Sequence, residues 1–158
     1  MRKPNLFLVG APKAGSTFLW TILKDHKDVF FSTNPEKEIN YFSYDELNTH
    51  SYYKDYKIKD EKDYYRVFKN GQAFKYIADG SVSYFSYPSI PEKIYKFNPE
   101  AKIIFIVRDP ILRAFSHYTM DKRMGYAKES FLDYLINKDN KYDKFIHQYI
   151  ENSLYYKH

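Results

Sequence analysis

A short turn near the N-terminus carries groups that could bind an anion. Lys13, Gly15, Ser16 and Thr17 directly follow the apolar run at residues 6–10. A strand that ends at such a turn and leads into a helix directs backbone N–H groups and the positive end of the helix dipole at one anion. A lysine on the turn adds a mobile charge. The pattern predicts a phosphate-binding loop, and an ordinary strand-to-helix connection with a solvated lysine is the alternative.

The order of residues in this turn differs from that of the ATPase loop. In the loop G-x-x-x-x-G-K-[ST], the lysine and the hydroxyl are adjacent at the helix start, and the hydroxyl can hold magnesium. Here Lys13 precedes Gly15, and the hydroxyls follow the glycine. A P-loop kinase or NTPase that needs magnesium and ATP therefore stays as an alternative only.

A second candidate anion site follows the apolar run at residues 101–107. Arg108 ends that run, and Asp109-Pro110 opens a helical segment whose first turns carry Ser116. An arginine with a serine hydroxyl is a strong pair for a phosphate, although Asp109 could instead only cap the helix and pair with Arg108. An ATPase usually has an aspartate for magnesium at such a strand end. The pattern favours a metal-free donor with two separated phosphates.

The order of the elements predicts how these two segments meet. Short apolar runs alternate with helical segments, which predicts an α/β fold of the P-loop-like three-layer α/β/α type around a central parallel sheet. Strands are predicted at 5–9, 29–31, 74–78 and 101–107, and helices at about 16–25, at 88–97 and throughout 109–158 with breaks near 125 and 137–140. Ligands of such sheets bind beyond the carboxyl ends of the strands, so Lys13 and Arg108 should face one crevice.

Composition sets the outer limits. The 158 residues fit one domain, and the net charge of +5 suits an anionic ligand, although a lysine-rich surface gives the same value. The absence of cysteine excludes disulfides, thiolate catalysis and cysteine-based zinc sites. Because no apolar stretch is long enough for a membrane span or signal peptide, we expect a soluble cytoplasmic protein with neither a membrane nor a nucleic-acid partner.

Three motifs in this order resemble those of a known family. Residues 12–17 look like the 5′-phosphosulfate loop of sulfotransferases that use 3′-phosphoadenosine 5′-phosphosulfate (PAPS), and residues 104–110 with Arg113, Ser116 and Tyr118 look like their 3′-phosphate motif. Residues 37–42 are similar to the acidic segment of the heparan-sulfate-type glycan branch and its bacterial relatives. The resemblance covers nearly the whole chain, from about residue 6 to residue 156.

The resemblance implies a role for each matching residue. Lys13 would stabilise the leaving group, and Glu38 would be the base that takes a proton from a hydroxyl or amine acceptor, with Glu36 as an alternative base. The donor would contact Lys13, Ala14, Gly15, Ser16 and Thr17 at its 5′-phosphate and Arg108 and Ser116 at its 3′-phosphate. Candidate substrate-binding residues are Glu36, Asn40, Tyr41, Phe42, Asp79 and Ser81. PAPS would be the donor, adenosine 3′,5′-bisphosphate (PAP) the product and a carbohydrate the acceptor, with no metal.

The sequence also departs from the family pattern. Gly80 stands where glycan sulfotransferases often have a lysine. Family members run past residue 158, and residues 149–156 resemble a helix that precedes another strand and a second nucleotide-binding loop. We therefore expect a single domain, residues 1–158, that is truncated at its C-terminus. A missing edge strand would favour a homo-oligomer or a complementing chain, and a non-catalytic nucleotide-binding remnant is a further alternative.

Overall fold

The computed structural model describes residues 1–48, 58–136 and 148–157. Within these ranges the strands are β1 (Leu6–Gly10), β2 (Val29–Phe31), β3 (Tyr76–Asp79) and β4 (Lys102–Phe105). The α-helices are α1 (Ser16–Lys24), α2 (Tyr44–Leu47), α3 (Glu61–Arg66), α4 (Ile90–Phe97), α5 (Pro110–Arg123) and α6 (Phe131–Ile136). Short 3-10 segments lie at Lys69–Gly71, Val82–Ser86, Glu151–Ser153 and Tyr155–Lys157. No helix of the described ranges is long and apolar enough to cross a membrane.

The four strands form one parallel sheet in the order β2-β3-β1-β4. Leu6 of β1 is in register with Ala78 of β3 on one side and with Lys102 of β4 on the other. The strands therefore all end at the same edge, from which the loop after β1 and the start of α5 both emerge. The predicted α/β fold with a central parallel sheet is confirmed.

Alternating side chains of the sheet explain the three layers. Leu6 points to a small core that also contains Phe31 and packs against Trp20 of α1. Its neighbour Phe7 points to the opposite face, into a larger aromatic core with Tyr64 and Phe68. Because successive residues of a strand face opposite sides of the sheet, the two apolar faces need separate covers. The helix α1 covers one face, and α3 with α4 covers the other.

The C-terminal third differs from the predicted continuous helix. Helix α5 ends at Arg123 before Gly125, whose φ of 80° is left-handed. The segment 149–156, predicted as a helix, consists of two 3-10 turns instead, and this prediction is wrong. Ser153 donates its hydroxyl to the carbonyl of Tyr149, which is the kind of local side-chain bond that competes with a regular helix. The predicted break at 137–140 lies outside the described residues.

Candidate functional site

The loop between β1 and α1 is built around left-handed backbone. Lys13 has a φ of 66° and Gly15 a φ of 106°. No side chain of residues 1–48, 58–136 and 148–157 caps the first turn of α1, so none of these side chains satisfies its leading N–H groups. A Cβ placed on Gly15 would meet nothing within 4 Å, which shows that the space in front of the helix start is open. This arrangement fits an anion at the start of α1.

The open space belongs to a crevice of about 440 Å³. Its walls come from six parts of the chain: the loop that leads into α1, the segment after β2, the end of α2, the turn after β3, the middle of α5 and the C-terminal turns. Those of its lining residues that can donate, accept or carry charge include Lys13, Ser16, Thr17, Lys37, Glu38, Ser83, Ser86, Ser116, His117, Asp121, Gln148 and Asn152. Of the residues predicted for the donor and for catalysis, Lys13, Gly15, Ser16, Thr17, Ser116 and Glu38 line this crevice.

Lys13 presents an ammonium group that is not held by a carboxylate. Its Nζ lies 3.4 Å from the sulfur of Met120, and it forms no ion pair within the described ranges of the chain. Burial lowers the pKa of Lys13, and the neighbouring cations Arg123 and Arg108 lower it further, against the opposing effect of Asp121. The group is a cation in a region of positive potential, which favours an anionic ligand.

Arg108 and Lys13 meet at the edge of the sheet, as the parallel topology predicts. The guanidinium of Arg108 donates to the carbonyl of Lys13 at 3.3 Å. The hydroxyl of Tyr155 accepts from the N–H of Arg108 and donates to its carbonyl at 2.8 Å. Arg108 is exposed and is not among the residues that line the crevice. It therefore extends the positive surface of the loop rather than the crevice wall.

Glu38 lies across the crevice with one third of its side chain exposed (32%). Its Oε1 lies 3.2 Å from the ammonium of Lys37, and its Oε2 accepts the N–H of Val82 at 3.0 Å. Burial raises the pKa of Glu38 and Asp79 adds to the rise, whereas Lys37 and the Val82 N–H oppose it. The result is a carboxylate that is oriented by two donors and is more basic than an ordinary glutamate.

Four predicted substrate-binding residues lie beneath the crevice instead of in its wall. Asn40, Phe42, Asp79 and Ser81 are buried. The carboxylate of Asp79 accepts hydrogen bonds from the hydroxyl groups of Ser81, Tyr64 and Tyr84 at 2.6 to 2.9 Å. Burial raises the pKa of Asp79 to about 6. These four residues are not among those that line the crevice, so their contact with substrate stays a prediction.

Two further predicted residues also lie away from the lining. Glu36 forms an ion pair with Lys24 at 3.1 Å on the surface, and 53% of its side chain is exposed. Tyr41 is half-buried, and its ring stacks on that of Tyr64 at 4.2 Å between centroids. Neither residue is among those that line the crevice. Of the two carboxylates considered as the base, only Glu38 lies in its wall.

Three residues of α5 contribute to the site besides the predicted Ser116. Arg113, His117 and Asp121 stand four residues apart and therefore share one face of the helix. His117 lines the crevice, and its Nε2 lies 3.8 Å from Asp121 Oδ2. Arg113 is fully buried and donates to the carbonyls of Pro12 and Tyr149. The four-residue spacing is the signal that could have revealed this face.

Arg113 connects three segments that form the crevice. Besides those two carbonyls, its Nε donates to the hydroxyl of Ser153 at 2.6 Å. Burial lowers the pKa of Arg113 to about 10. One side chain thus fixes the loop after β1 and the C-terminal turns to α5.

A parallel sheet whose strand ends carry a glycine-containing loop, a lysine and an arginine is typical of α/β proteins that bind phosphorylated ligands. Comparison with known sequences defines this further: the chain belongs to the sulfotransferase domain family, whose model matches residues 3–158. The family resemblance of the sequence motifs is thereby confirmed.

Individual relatives agree with this family. The chain is 30% identical over 120 residues to heparan sulfate glucosamine 3-O-sulfotransferase 5 of Mus musculus, which covers 73% of this chain and 30% of that protein. It is 28% identical over 115 residues to the membrane-associated sulfotransferase kil1 of Dictyostelium discoideum, covering 73% of this chain and 22% of that protein. A crystal structure of a sulfotransferase from Alicyclobacillus acidocaldarius matches with a TM-score of 0.86 and 30% identity, over 98% of this chain and 66% of that one.

Proposed function

We propose that this chain transfers a sulfuryl group from PAPS to a hydroxyl or amine group of a carbohydrate. The observation that carries the proposal is one crevice that holds both Lys13 and Glu38. Lys13 is an ammonium that has no carboxylate partner among the described residues and lies beside the start of α1, and Glu38 is a carboxylate of raised pKa. The carbohydrate acceptor is favoured by the relatives named as heparan sulfate sulfotransferases.

The residues present fit a nucleotide with two separated phosphates. Ser16, Thr17 and the open N–H groups of α1 would hold the 5′-phosphate, with Lys13 beside it. Arg108 and Ser116 would hold the 3′-phosphate, because an arginine and a hydroxyl make charge-assisted bonds to phosphate oxygens. When bound, PAPS supplies an activated sulfuryl group whose leaving group is a phosphate. The ammonium of Lys13 would offset the charge that develops on that leaving group.

Glu38 would act on the acceptor. Its carboxylate would take the proton of the acceptor hydroxyl or amine, and a raised pKa makes that transfer more favourable. The N–H of Val82 holds Oε2 and the ammonium of Lys37 lies 3.2 Å from Oε1, so both oxygens of the carboxylate are oriented by protein groups. Glu36 would not serve, since it is held by Lys24 at the surface.

The test separates donor binding from transfer. We expect Lys13→Ala to weaken PAP binding in calorimetry by on the order of 10- to 100-fold, the loss of one charge-assisted contact. Glu38→Gln should bind PAP like wild type but transfer no radiolabelled sulfate from PAPS to a panel of glycosaminoglycan oligosaccharides. Lys24→Ala, a change of the same kind outside the crevice, is the control for both assays.

Three results would contradict the proposal. Equal PAP affinity in wild type and Lys13→Ala would remove the donor site. Tighter binding of magnesium-ATP than of PAP would favour a P-loop kinase or NTPase. PAP binding without sulfate transfer to any oligosaccharide would leave a nucleotide-binding module that is not an enzyme.

A further inference from the structure

The segment after β2 brings a second lysine into the crevice, between the start of α1 and Glu38. We propose that Lys37 is a positioning residue for sulfuryl transfer, which holds the Glu38 carboxylate in a fixed place relative to the donor-binding start of α1. This inference rests on the proposed function, and it assigns a role to a residue that is not among the predicted donor-binding and base residues.

The contacts of the Lys37 ammonium account for all of its donors. Its Nζ lies 3.2 Å from Oε1 of Glu38, 3.2 Å from Oγ1 of Thr17 and 3.5 Å from Oγ of Ser16. An ammonium group has three N–H donors, so these three acceptors saturate it. Only 16% of the side chain is exposed. Lys37 is therefore fixed between both halves of the crevice, whereas Lys13 contacts a thioether and keeps donors for a ligand.

The backbone explains why two consecutive side chains reach one crevice. Neighbouring residues of an extended chain point in opposite directions, but Glu38 has a left-handed φ of 58° and breaks that alternation. The N–H of Glu38 donates to the carbonyl of Gly80 at 2.9 Å, which ties the turn to the end of β3. A Cβ on Gly80 would lie 3.5 Å from Cγ of Lys37, so the lysine stem packs closely over this glycine.

The charged groups around Glu38 show that Lys37 keeps the pKa of its carboxyl group from rising further. Asp79, at the end of β3, raises the pKa of Glu38 together with burial, and the N–H of Val82 opposes them. Lys37 supplies the opposing cation. Without it, the Glu38 carboxyl group would hold its proton to a higher pH and would lose its link to Thr17. A base must be deprotonated to act, so the acid limb of the pH profile depends on this lysine.

The experiment compares Lys37→Met, which removes the charge and keeps the stem, with Lys37→Arg and with Lys24→Met. Lys24 is the control because its ion pair with Glu36 lies at the surface. The first readout is a carboxyl-carbon NMR titration of the ligand-free protein labelled at glutamate, in which Glu38→Gln identifies the Glu38 signal. The second is the pH dependence of kcat/KM for sulfate transfer, and the third is the affinity for PAP.

For Lys37→Met we expect the Glu38 titration and the acid limb of kcat/KM to move upward together by about one pH unit, the effect of one close cation. PAP affinity should fall less than in Lys13→Ala, because the donors of Lys37 are used on Glu38, Ser16 and Thr17 and not on the donor molecule itself. Lys37→Arg should keep the Glu38 titration near that of wild type, and Lys24→Met should change none of the three readouts.

An unmoved Glu38 titration in folded Lys37→Met would overturn the proposal. A loss of PAP affinity as large as that of Lys13→Ala would overturn it as well, since Lys37 would then be a donor ligand. If Lys37→Met does not fold, Lys37→Gln removes the charge and keeps a polar end group, and an unmoved Glu38 titration in that variant would overturn the proposal. A wild type that transfers no sulfate would refute the proposed function, whereas the NMR titration would still decide the role of Lys37.

Discussion

At the scale of single residues, two lysines of one crevice differ in what they contact. Lys37 is saturated by protein oxygens, whereas Lys13 is flanked by cations and the sulfur of Met120. Burial and the cations near it lower the pKa of Lys13 below the ordinary 10.5. Only its charged form attracts a phosphate, so PAP binding should weaken with rising pH earlier than for an ordinary lysine.

Lys13→Arg tests this dependence. Arginine stays charged throughout the accessible range, so the variant should keep its PAP affinity between pH 7 and pH 10, whereas that of wild type should fall. Calorimetry at several pH values measures both. A parallel decline in both proteins would place the titrating group elsewhere.

The buried Asp79 predicts how the stability of the protein depends on pH. Its pKa rises from an ordinary 3.8 to about 6 on folding. Between these values the unfolded chain releases its proton first, so the free energy of unfolding falls as pH rises. The contribution of Asp79 amounts to roughly 3 kcal/mol, lost over this window. Urea unfolding at pH 4 to 7 should show Asp79→Asn gaining stability relative to wild type as pH rises.

A surface aspartate provides a control that should not change over this pH range. Hydrogen bonds from Ser130 lower the pKa of Asp133 below the ordinary 3.8, so its contribution to stability changes only below that pH, and the difference between Asp133→Asn and wild type should stay nearly constant from about pH 4 to 7. If the difference between Asp79→Asn and wild type stays constant with pH, Asp79 does not titrate in this window.

The residues of the site were predictable to different degrees. Lys13, Ser16 and Thr17 follow from their order in one short turn, because that order fixes what the start of a helix presents. Asp79 and Asn40 could not be placed in this way. Both are buried. Asp79 accepts a hydrogen bond from the hydroxyl of Tyr64, 15 residues earlier in the chain, and Asn40 bonds Ser81 and Ser83, which lie 41 and 43 residues further on; such contacts leave no local pattern in the sequence.

At the scale of elements, the loop before α1 predicts a matched pair of glycine variants. Gly15 and Gly125 both have left-handed φ angles, of 106° and 80°, and a Cβ on either would meet nothing within 4 Å. Gly15→Ala and Gly125→Ala should each cost about 1 kcal/mol of stability from backbone strain. Only Gly15 lines the crevice, so only Gly15→Ala should also weaken PAP binding.

Thermal unfolding and calorimetry on the two variants give the comparison. Equal losses of PAP affinity would mean that global destabilisation, rather than the space at the start of α1, controls binding. Unchanged stability in both would contradict the left-handed geometry of these turns.

Strands and helices were predicted correctly where the spacing of apolar residues determines them. They were missed where contacts of a single side chain determine the local structure. The four strands follow from their apolar runs, and Asp109 with Pro110 marks the start of α5, where Asp109 accepts the N–H of Leu112. The turns at 149–157 depend on Arg113, whose guanidinium donates hydrogen bonds to a carbonyl and a hydroxyl of that segment. A contact over some forty residues leaves no periodic signal in the sequence.

At the scale of the whole molecule, the sheet has an exposed outer strand. β4 pairs with β1 on one side and has no partner strand on the other within the described ranges. Ile103 and Phe105 of β4 are 52% and 44% exposed, beside an apolar groove of about 460 Å³ that Val9 and Ile94 also line. An apolar strand with unpaired backbone groups favours pairing with another chain.

We therefore expect the chain to self-associate through β4, and lysine at position 103 to suppress it. Ile103→Lys places a charge on the edge strand, which natural sheets use against such pairing. Ile22 is the matched control, because it is 53% exposed but lies on α1 and not on a strand. In sedimentation velocity, wild type and Ile22→Lys should sediment faster as concentration rises, whereas Ile103→Lys should stay at the monomer value. Loss of association in both variants would point to general apolar contact, and a monomeric wild type would show that the β4 edge does not pair.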